Sequence, residues 1–287
     1  KATLTNLNQE TAGYITGLKA YRDEDYSKRN FNPDAYRDAK SQRVSLRLTQ
    51  EDNKNINSIT SYVRNNDMKF FQHFLPGTPL EENGHQSLGI ILQRISDYDS
   101  FSLIQGIQID LAKAELTETQ KDALTTSSAF NNATRPQGKH YDYEVDSTVI
   151  ALFVGLEDYY LNNNLNLFAD TRAEFIKYDY ANNMISGNTR EDGSKCGFGG
   201  CYYNRPSDRT DNFNELSARI GVMTNFEVIN YFAQISLGFR PPQINEAYRL
   251  QKKQNVTDLD SETLTMLEVG SRYEWESLSG SLSLFQS

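Results

Sequence analysis

Three histidines and two cysteines carry the most reactive side chains in this sequence, and their spacing decides what they can do. His73 and His85 lie close enough along the chain to share a metal or haem, and His140 stands apart. A helical His-Glu-x-x-His would set two imidazoles on one face, but no such spacing occurs. Nor does a Gly-x-Ser-x-Gly elbow, a phosphate-cradling glycine loop, or a strand followed by Gly-x-Gly-x-x-Gly. A loop histidine is more often a solvated hydrogen-bond partner. No metal site, no cofactor and no catalytic residue is therefore expected. Cys196 and Cys201 bracket Gly197, Phe198, Gly199 and Gly200, where three glycines relieve strain on closing a small ring. Half a metal site is the alternative, although four ligands are usual and a second cysteine pair is missing. Two free thiols are the third reading.

Aromatic residues next to Arg and Asn suit a different chemistry, the gripping of a small molecule by stacking and hydrogen bonds. Such groups are Tyr202, Tyr203, Asn204 and Arg205 after the cysteine ring, His73 with Phe74, and Tyr21, Tyr26, Phe31 and Tyr36 near the start. The same residues serve equally well as an interfacial girdle or as loop stiffeners. With a net charge of -9 the chain lacks the basic footprint of a nucleic-acid binder, so no such partner is expected. Its longest apolar run, Val149 to Val154, is far below the roughly 20 residues that a membrane-spanning helix needs.

The elements that must position these residues are strands. Period-two alternation runs through Val44, Leu46 and Leu48, through Leu103, Ile107, Ile109 and Leu111, and through Leu165, Leu167, Ala169, Ala173 and Phe175. It returns in Leu216, Ala218, Ile220 and Val222, in 229–239, in Leu267, Val269, Tyr273 and Trp275, and in Leu282 and Leu284. Counting the runs gives about twelve strands, at least half of them about ten residues or longer. Ordinary strands average roughly five or six residues, whereas a tilted strand crossing a bilayer needs roughly nine to eleven. Short links near 50–55, 96–99, 161–164, 224–227 and 276–278 alternate with long polar ones near 22–39, 65–84, 115–141, 181–211 and 240–262. The single helical hint, at 115–128, falls inside a long link. Long strands with alternating long and short links predict an all-β, antiparallel transmembrane β-barrel segment, with long extracellular loops and short periplasmic turns. A passive porin-like barrel and a soluble β-sandwich that binds glycans are the alternatives. The charges Asp110, Asp170, Arg172, Glu174, Arg219, Glu268, Arg272 and Glu274 fall in the polar phase, which either a lumen or bulk water would accept.

One ordered set of residues is more specific. Gly238-Phe239-Arg240-Pro241-Pro242-Gln243 is followed by Glu246-Ala247-Tyr248-Arg249-Leu250, then by Asp258 to Glu262, then by Leu267-Glu268-Val269-Gly270-Ser271-Arg272-Tyr273. With His73 to Gly77, Leu80 to His85, Glu118-Thr119-Gln120 and His140 to Val145, this resembles the barrel of TonB-dependent outer-membrane receptors. The resemblance spans most of the chain. It implies location in the bacterial outer membrane beside lipid and lipopolysaccharide, and capture of a small-molecule ligand by the loops. It also implies transport coupled to TonB through a plug domain. The ligand would be a ferric siderophore, haem, cobalamin or an oligosaccharide. No plug or TonB box is visible in 1–287, and the family barrel has 22 strands, so the chain reads as one β-barrel portion of a longer receptor. Its start at Lys1 without a leader and its stop after Leu284 fit the same expectation. In that oxidising compartment Cys196 and Cys201 read as a disulfide. Capture is expected from His73, Phe74, Tyr202, Tyr203 and Arg205. Arg240, Tyr248 and Arg249 are expected to build the loop first and to touch ligand second. An open, curved sheet, or one closed imperfectly, with unpaired edges near 11–21 and 279–286 is the expected shape.

Overall fold

The computed structural model describes every residue except 12, 163, 225 and 255–258, so Asp258 of the motif above lies outside the described residues. In chain order the strands are β1 (Ala2–Glu10), β2 (Tyr36–Asp52), β3 (Asn55–Phe71), β4 (Leu80–Tyr98), β5 (Phe101–Gln120), β6 (Gly138–Asn162) and β7 (Leu165–Asn182). They continue with β8 (Tyr203–Asn204), β9 (Arg209–Thr224), β10 (Ile229–Arg240), β11 (Leu250–Gln251), β12 (Glu262–Trp275) and β13 (Leu278–Gln286). Three short helices, α1 (Glu24–Ser27), α2 (Ala129–Thr134) and α3 (Ile244–Tyr248), sit in the connections. Eleven strands form one antiparallel sheet in the order β1-β2-β3-β4-β5-β6-β7-β9-β10-β12-β13, and β8 with β11 forms a separate two-stranded ladder. The first edge strand is Ala2–Glu10, not 11–21, which is connection instead. No described helix is long and apolar enough to cross a membrane, which does not bear on strands.

Register carries the alternation from strand to strand. Leu48, Ile59, Leu92, Ile107, Leu152, Ala173 and Leu216 are successive cross-strand partners, and Ile220, Ile235 and Leu267 extend a neighbouring row. The result is a continuous apolar face across the sheet. Leu48, Leu152, Leu216, Ile220 and Leu267 are each more than half exposed, and among the described residues no second sheet covers them. A β-sandwich would bury this face. Fully burying one such side chain is worth about 1.5–3 kcal/mol, so a face this large needs an apolar solvent of its own.

The opposite phase is polar and crowded. Tyr62, Phe153, Phe168 and Phe232 each stand directly across from a glycine: Gly89, Gly106, Gly221 and Gly270. A Cβ on any of the four would fall 2.2–2.5 Å from the facing ring. Aromatic side chains fill the space the glycines leave, a known way of stabilising glycine in sheets. Arginines cover three of the rings: Arg64 at 4.9 Å from Tyr62, Arg219 at 4.9 Å from Phe168, and Arg272 at 5.4 Å from Phe232. Charges on this phase pair across strands, Arg64 with Asp110 at 3.0 Å and Arg219 with Asp170 at 2.7 Å. Towards the long-connection end the apolar phase becomes charged as well, with Lys69–Glu82 at 2.5 Å and Lys113–Glu144 at 2.6 Å.

Gly89→Val, Gly221→Val and Gly270→Val should each destabilise the folded barrel by about 1–3 kcal/mol, because the added atoms have no room beside the ring. Gly238→Ala, where a Cβ meets nothing within 4 Å, should be close to neutral. Urea unfolding midpoints of the full-length protein in micelles provide the comparison.

Candidate functional site

All long connections leave one end of the sheet: 11–35, 72–79, 121–137, 183–208 and 241–261. Among the described residues the other end carries tight links, such as 53–54 and 99–100. At the first end 72–79, 121–137, 183–208 and 241–261 fold over the polar phase and lock together. The site is built from that lock.

The sequence sets up the last of these connections in steps. Pro241 and Pro242 supply no ladder donor, so β10 stops at Arg240. Gln243 then caps α3, and Glu246 completes a capping box with it. Arg240 donates to Glu246 Oε2 at 3.1 Å and to Glu262 Oε1 at 2.9 Å, which ties the start of the connection to the start of β12. This geometry lays Tyr248 and Arg249 onto the barrel wall. Tyr248 is fully buried, stacks on Tyr180 with centroids 4.4 Å apart, and donates its hydroxyl to Asp211 Oδ2 at 2.7 Å. Burial first, and the Asp211 hydrogen bond second, push its pKa up.

Arg249 is the centre of a buried charge cluster. Its guanidinium donates to Glu81 on β4 at 2.7 Å, to Glu118 on β5, and to Gln72 Oε1 at 3.2 Å. Burial alone would lower its pKa, but the charges of Glu118 and Glu81 hold it above the usual value. Gln72 also donates to Glu81, and Asn83 donates to the other Glu81 oxygen at 2.7 Å. On the far side of Glu118 stands His140, with Nδ1 2.9 Å from the carboxylate and Nε2 2.8 Å from the Pro136 carbonyl. A β-bulge places it there: Glu118 pairs with Tyr141 and Thr119 with Lys139, so His140 is the extra residue. Bulges re-aim a side chain in this manner. Glu118 and His140 are both about 1% exposed, so every polar atom must find its partner inside the cluster.

The connection carrying the cysteines packs on the other side of His140. Tyr203 stacks on the imidazole at 3.8 Å and meets Tyr141 edge-on at 5.4 Å. The Tyr141 hydroxyl in turn donates to the Leu250 carbonyl at 2.5 Å. β8 and β11 join the two connections as a ladder, and the Tyr202 hydroxyl donates to Gln251 Oε1 at 2.5 Å. Arg205 is buried and donates to the carbonyls of Ile185, His140 and Thr189 at 2.8, 3.1 and 2.7 Å. Burial lowers the Arg205 pKa and raises that of Tyr203. Cys196 and Cys201 are joined by a disulfide, with a Cα–Cα distance of 4.7 Å, and Lys252 donates to the Phe198 carbonyl inside that ring.

The residues singled out from sequence thus separate. Tyr203, Arg205 and Tyr248 are buried, and Arg240 and Arg249 are committed to ion pairs, so these five hold the connections in place. Tyr202 is half-buried under Arg135, whose guanidinium carbon lies 3.9 Å from its ring. Phe74 is exposed on the connection 72–79, with His73 edge-on at 5.7 Å and Phe70 at 5.8 Å. His73 and His85 do not share a connection, because His85 belongs to β4. The expected helix at 115–128 is also displaced: 115–120 is the end of β5, and the helical turn is α2. Sequence reasoning did not rank Gln72, Glu81, Glu118 and His140 as site residues. Three of them lay in the segments carrying the resemblance, and Gln72 immediately precedes one.

A long-stranded antiparallel wall with one apolar and one polar phase, and interlocked connections at a single end, defines a receptor-type β-barrel. The chain belongs to the TonB-dependent receptor β-barrel family: the family model described as "TonB dependent receptor-like, beta-barrel" matches residues 2–287. No curated protein matches the chain. Among solved structures it is similar to the ferric citrate transporter FecA in its unliganded form, with a TM-score of 0.68 and 14% identity, covering 98% of this chain and 39% of that one. It is likewise similar to the ferric-catecholate import receptor Fiu from K12 E. coli in its closed form, with a TM-score of 0.65, 10% identity and coverage of 99% and 47%. The siderophore receptor PiuA from Acinetobacter baumannii gives a TM-score of 0.62 and 11% identity, with coverage of 88% and 40%. The chain therefore spans less than half the length of these structures, and at such identities the likeness is one of fold.

Arg249→Met leaves Glu81 and Glu118 buried without their cation, at a cost of about 3–5 kcal/mol. Limited proteolysis of the full-length protein should then cut within 241–261 and 183–208 many-fold faster than in the wild type. Arg249→Lys keeps the charge but loses the fork, and should fall between the two.

Proposed function

We propose that this chain is part of the wall of a bacterial outer-membrane receptor that imports a scarce nutrient by TonB coupling. The observation that carries the reading is the family match along nearly the whole chain, joined to a sheet whose long connections fold over its polar phase. In this reading lipid contacts the apolar phase, and lipopolysaccharide lies beside the charged rim of Lys69, Glu82, Lys113 and Glu144. The polar phase lines the lumen. A plug and TonB act through the remainder of the full-length protein. A small molecule is the cargo: a ferric siderophore, haem, cobalamin or an oligosaccharide. The ferric siderophore leads, supported by what the names of the similar structures say those proteins carry.

Capture falls to the accessible members of the mouth, Phe74 with His73, and Tyr202. An exposed ring beside an imidazole offers stacking and a hydrogen bond to one ligand group. Tyr203, Arg205, Arg240, Tyr248 and Arg249 contribute by holding the connections that present those side chains.

Phe74→Ala or Tyr202→Ala in the full-length protein should weaken ligand binding about tenfold each, since an aromatic anchor is commonly worth 1–3 kcal/mol. Uptake measured in cells under nutrient limitation should vanish when TonB is deleted. Recovery of the full-length protein in the soluble fraction, with no heat-modifiable band on gels, contradicts the proposal.

A further inference from the structure

Across the polar phase of the sheet most arginines face a carboxylate. Arg64 meets Asp110, Arg172 meets Glu174, Arg209 meets Asp211, Arg219 meets Asp170, and Arg249 meets Glu81 and Glu118. Strand β2 departs from this rule. Its polar phase carries Arg37, Arg43 and Arg47, and among the described residues none of them takes part in a salt bridge. Their cross-strand partners offer no charge relief. Gln9 and Phe70 stand opposite Arg37, Thr3 and Arg64 stand opposite Arg43, and Thr60 stands opposite Arg47.

The pairing of Arg43 with Arg64 is the most telling of these. Like charges directly opposite each other destabilise a sheet. Here both guanidinium groups crowd the same ring, at 5.6 Å and 4.9 Å from the centroid of Tyr62. One carboxylate, Asp110, stands near the pair, and Arg64 is the partner it holds. It accepts from Arg64 at 3.0 Å and from the Tyr62 hydroxyl. The next polar-phase carboxylate along β2 is Glu51, about 13 Å beyond Arg47 at 3.3 Å per residue, outside the screening length of about 8 Å at physiological salt. Arg37, at the mouth, lies 4.1 Å over Phe70, and its buried Nε has no partner. Arg43 and Arg47 are exposed and alternate with Val44, Leu46 and Leu48 of the apolar face, so they lie at the depth of the apolar band. The ladder thus descends from the mouth into the wall over about 30 Å.

We propose that Arg37, Arg43, Arg47 and Arg64 form an anion-binding ladder, and that the cargo of this receptor crosses the wall as an anion carrying carboxylate-, phosphate- or sulfonate-type oxygens. Guanidinium forks suit such oxygens. A chain with a net charge of -9 otherwise repels them, so the excess of arginine on one strand is a local exception to its overall field. The proposal rests on the reading of the polar phase as the lumen.

The trisulfonated pyrene dye pyranine serves as the anionic probe, with binding to the full-length receptor in micelles followed by fluorescence anisotropy at low salt. Arg43→Gln with Arg47→Gln should weaken binding about tenfold or more, and Arg43→Lys with Arg47→Lys should stay within about threefold of wild type. Arg272→Gln, a lone arginine on the same face but eight strands away in the sheet order and also without a salt bridge among the described residues, should bind as wild type does. The proposal is overturned if the double Gln variant binds as tightly as wild type. It is equally overturned if wild type does not bind the dye, and a loss of thermal stability in the double Gln variant would then assign the arginines to acidic side chains elsewhere in the same protein. Neither result touches the transport reading, which stands on TonB-dependent uptake.

Discussion

Unbroken register is the constraint on which the rest of this structure depends. Side chains alternate faces at every residue, so a slip of one position would move Leu48, Ile59, Leu92 and Leu152 to the polar side together. The ladders from β2 to β5 run without a shift from Asp52 opposite Asn55 up to Glu118. The irregularities come where the wall can absorb them. One lies at the mouth, between Glu118 and Thr119, and two lie at the tight-turn end of β6. The facing glycine and ring pairs pin the register, since each ring fits only where its glycine stands. Every strand between the edges β1 and β13 then satisfies its backbone groups through two neighbours, the condition for placing a polypeptide against lipid.

The same register produces the site. The bulge turns His140 to the polar side, while Glu81 and Glu118 point there because they follow the polar phase up their strands. Their charges would be costly there if the connections did not bring Arg249 down onto them. A cluster of this kind holds geometry more than it adds net stability. It explains why the connections at the mouth are fixed to the wall instead of lying free above it. The positions of Phe74 and Tyr202 depend on that fixing, through Gln72 bound to Arg249 and through the β8–β11 ladder.

Much of the wall was legible in the sequence, because alternation is visible wherever one phase is apolar and the other polar. The five short links also fell close to where they were expected, since polar turns interrupt the pattern abruptly. Strand ends at the mouth were not legible. Beyond the apolar band both phases are polar, as in Asn65, Asn66, Asp67 and Lys69, so the ladder continues where the hydrophobic signal has ended. For that reason 65–84 resembles one long link in the sequence, although only 72–79 connects the strands and His85 lies within β4. The burial of Tyr203, Arg205 and Tyr248 was hidden for a related reason. An aromatic or arginine in a polar segment has the same composition whether it faces solvent or cements two connections. The charge cluster needed contacts between β4, β5, β6 and 241–261, which no local pattern encodes.

The two-faced wall is the central claim, and spin labels on single cysteines read it most directly in the full-length protein reconstituted in bilayers. Labels at Leu92 and Ile235 should be accessible to oxygen and shielded from a water-soluble nickel chelate. Labels at the neighbouring positions Gln93 and Gln234 should not show that lipid signature. Immobile labels at Leu92 and Ile235, reached by neither reagent, would mean that the apolar face packs against protein and would contradict the barrel wall.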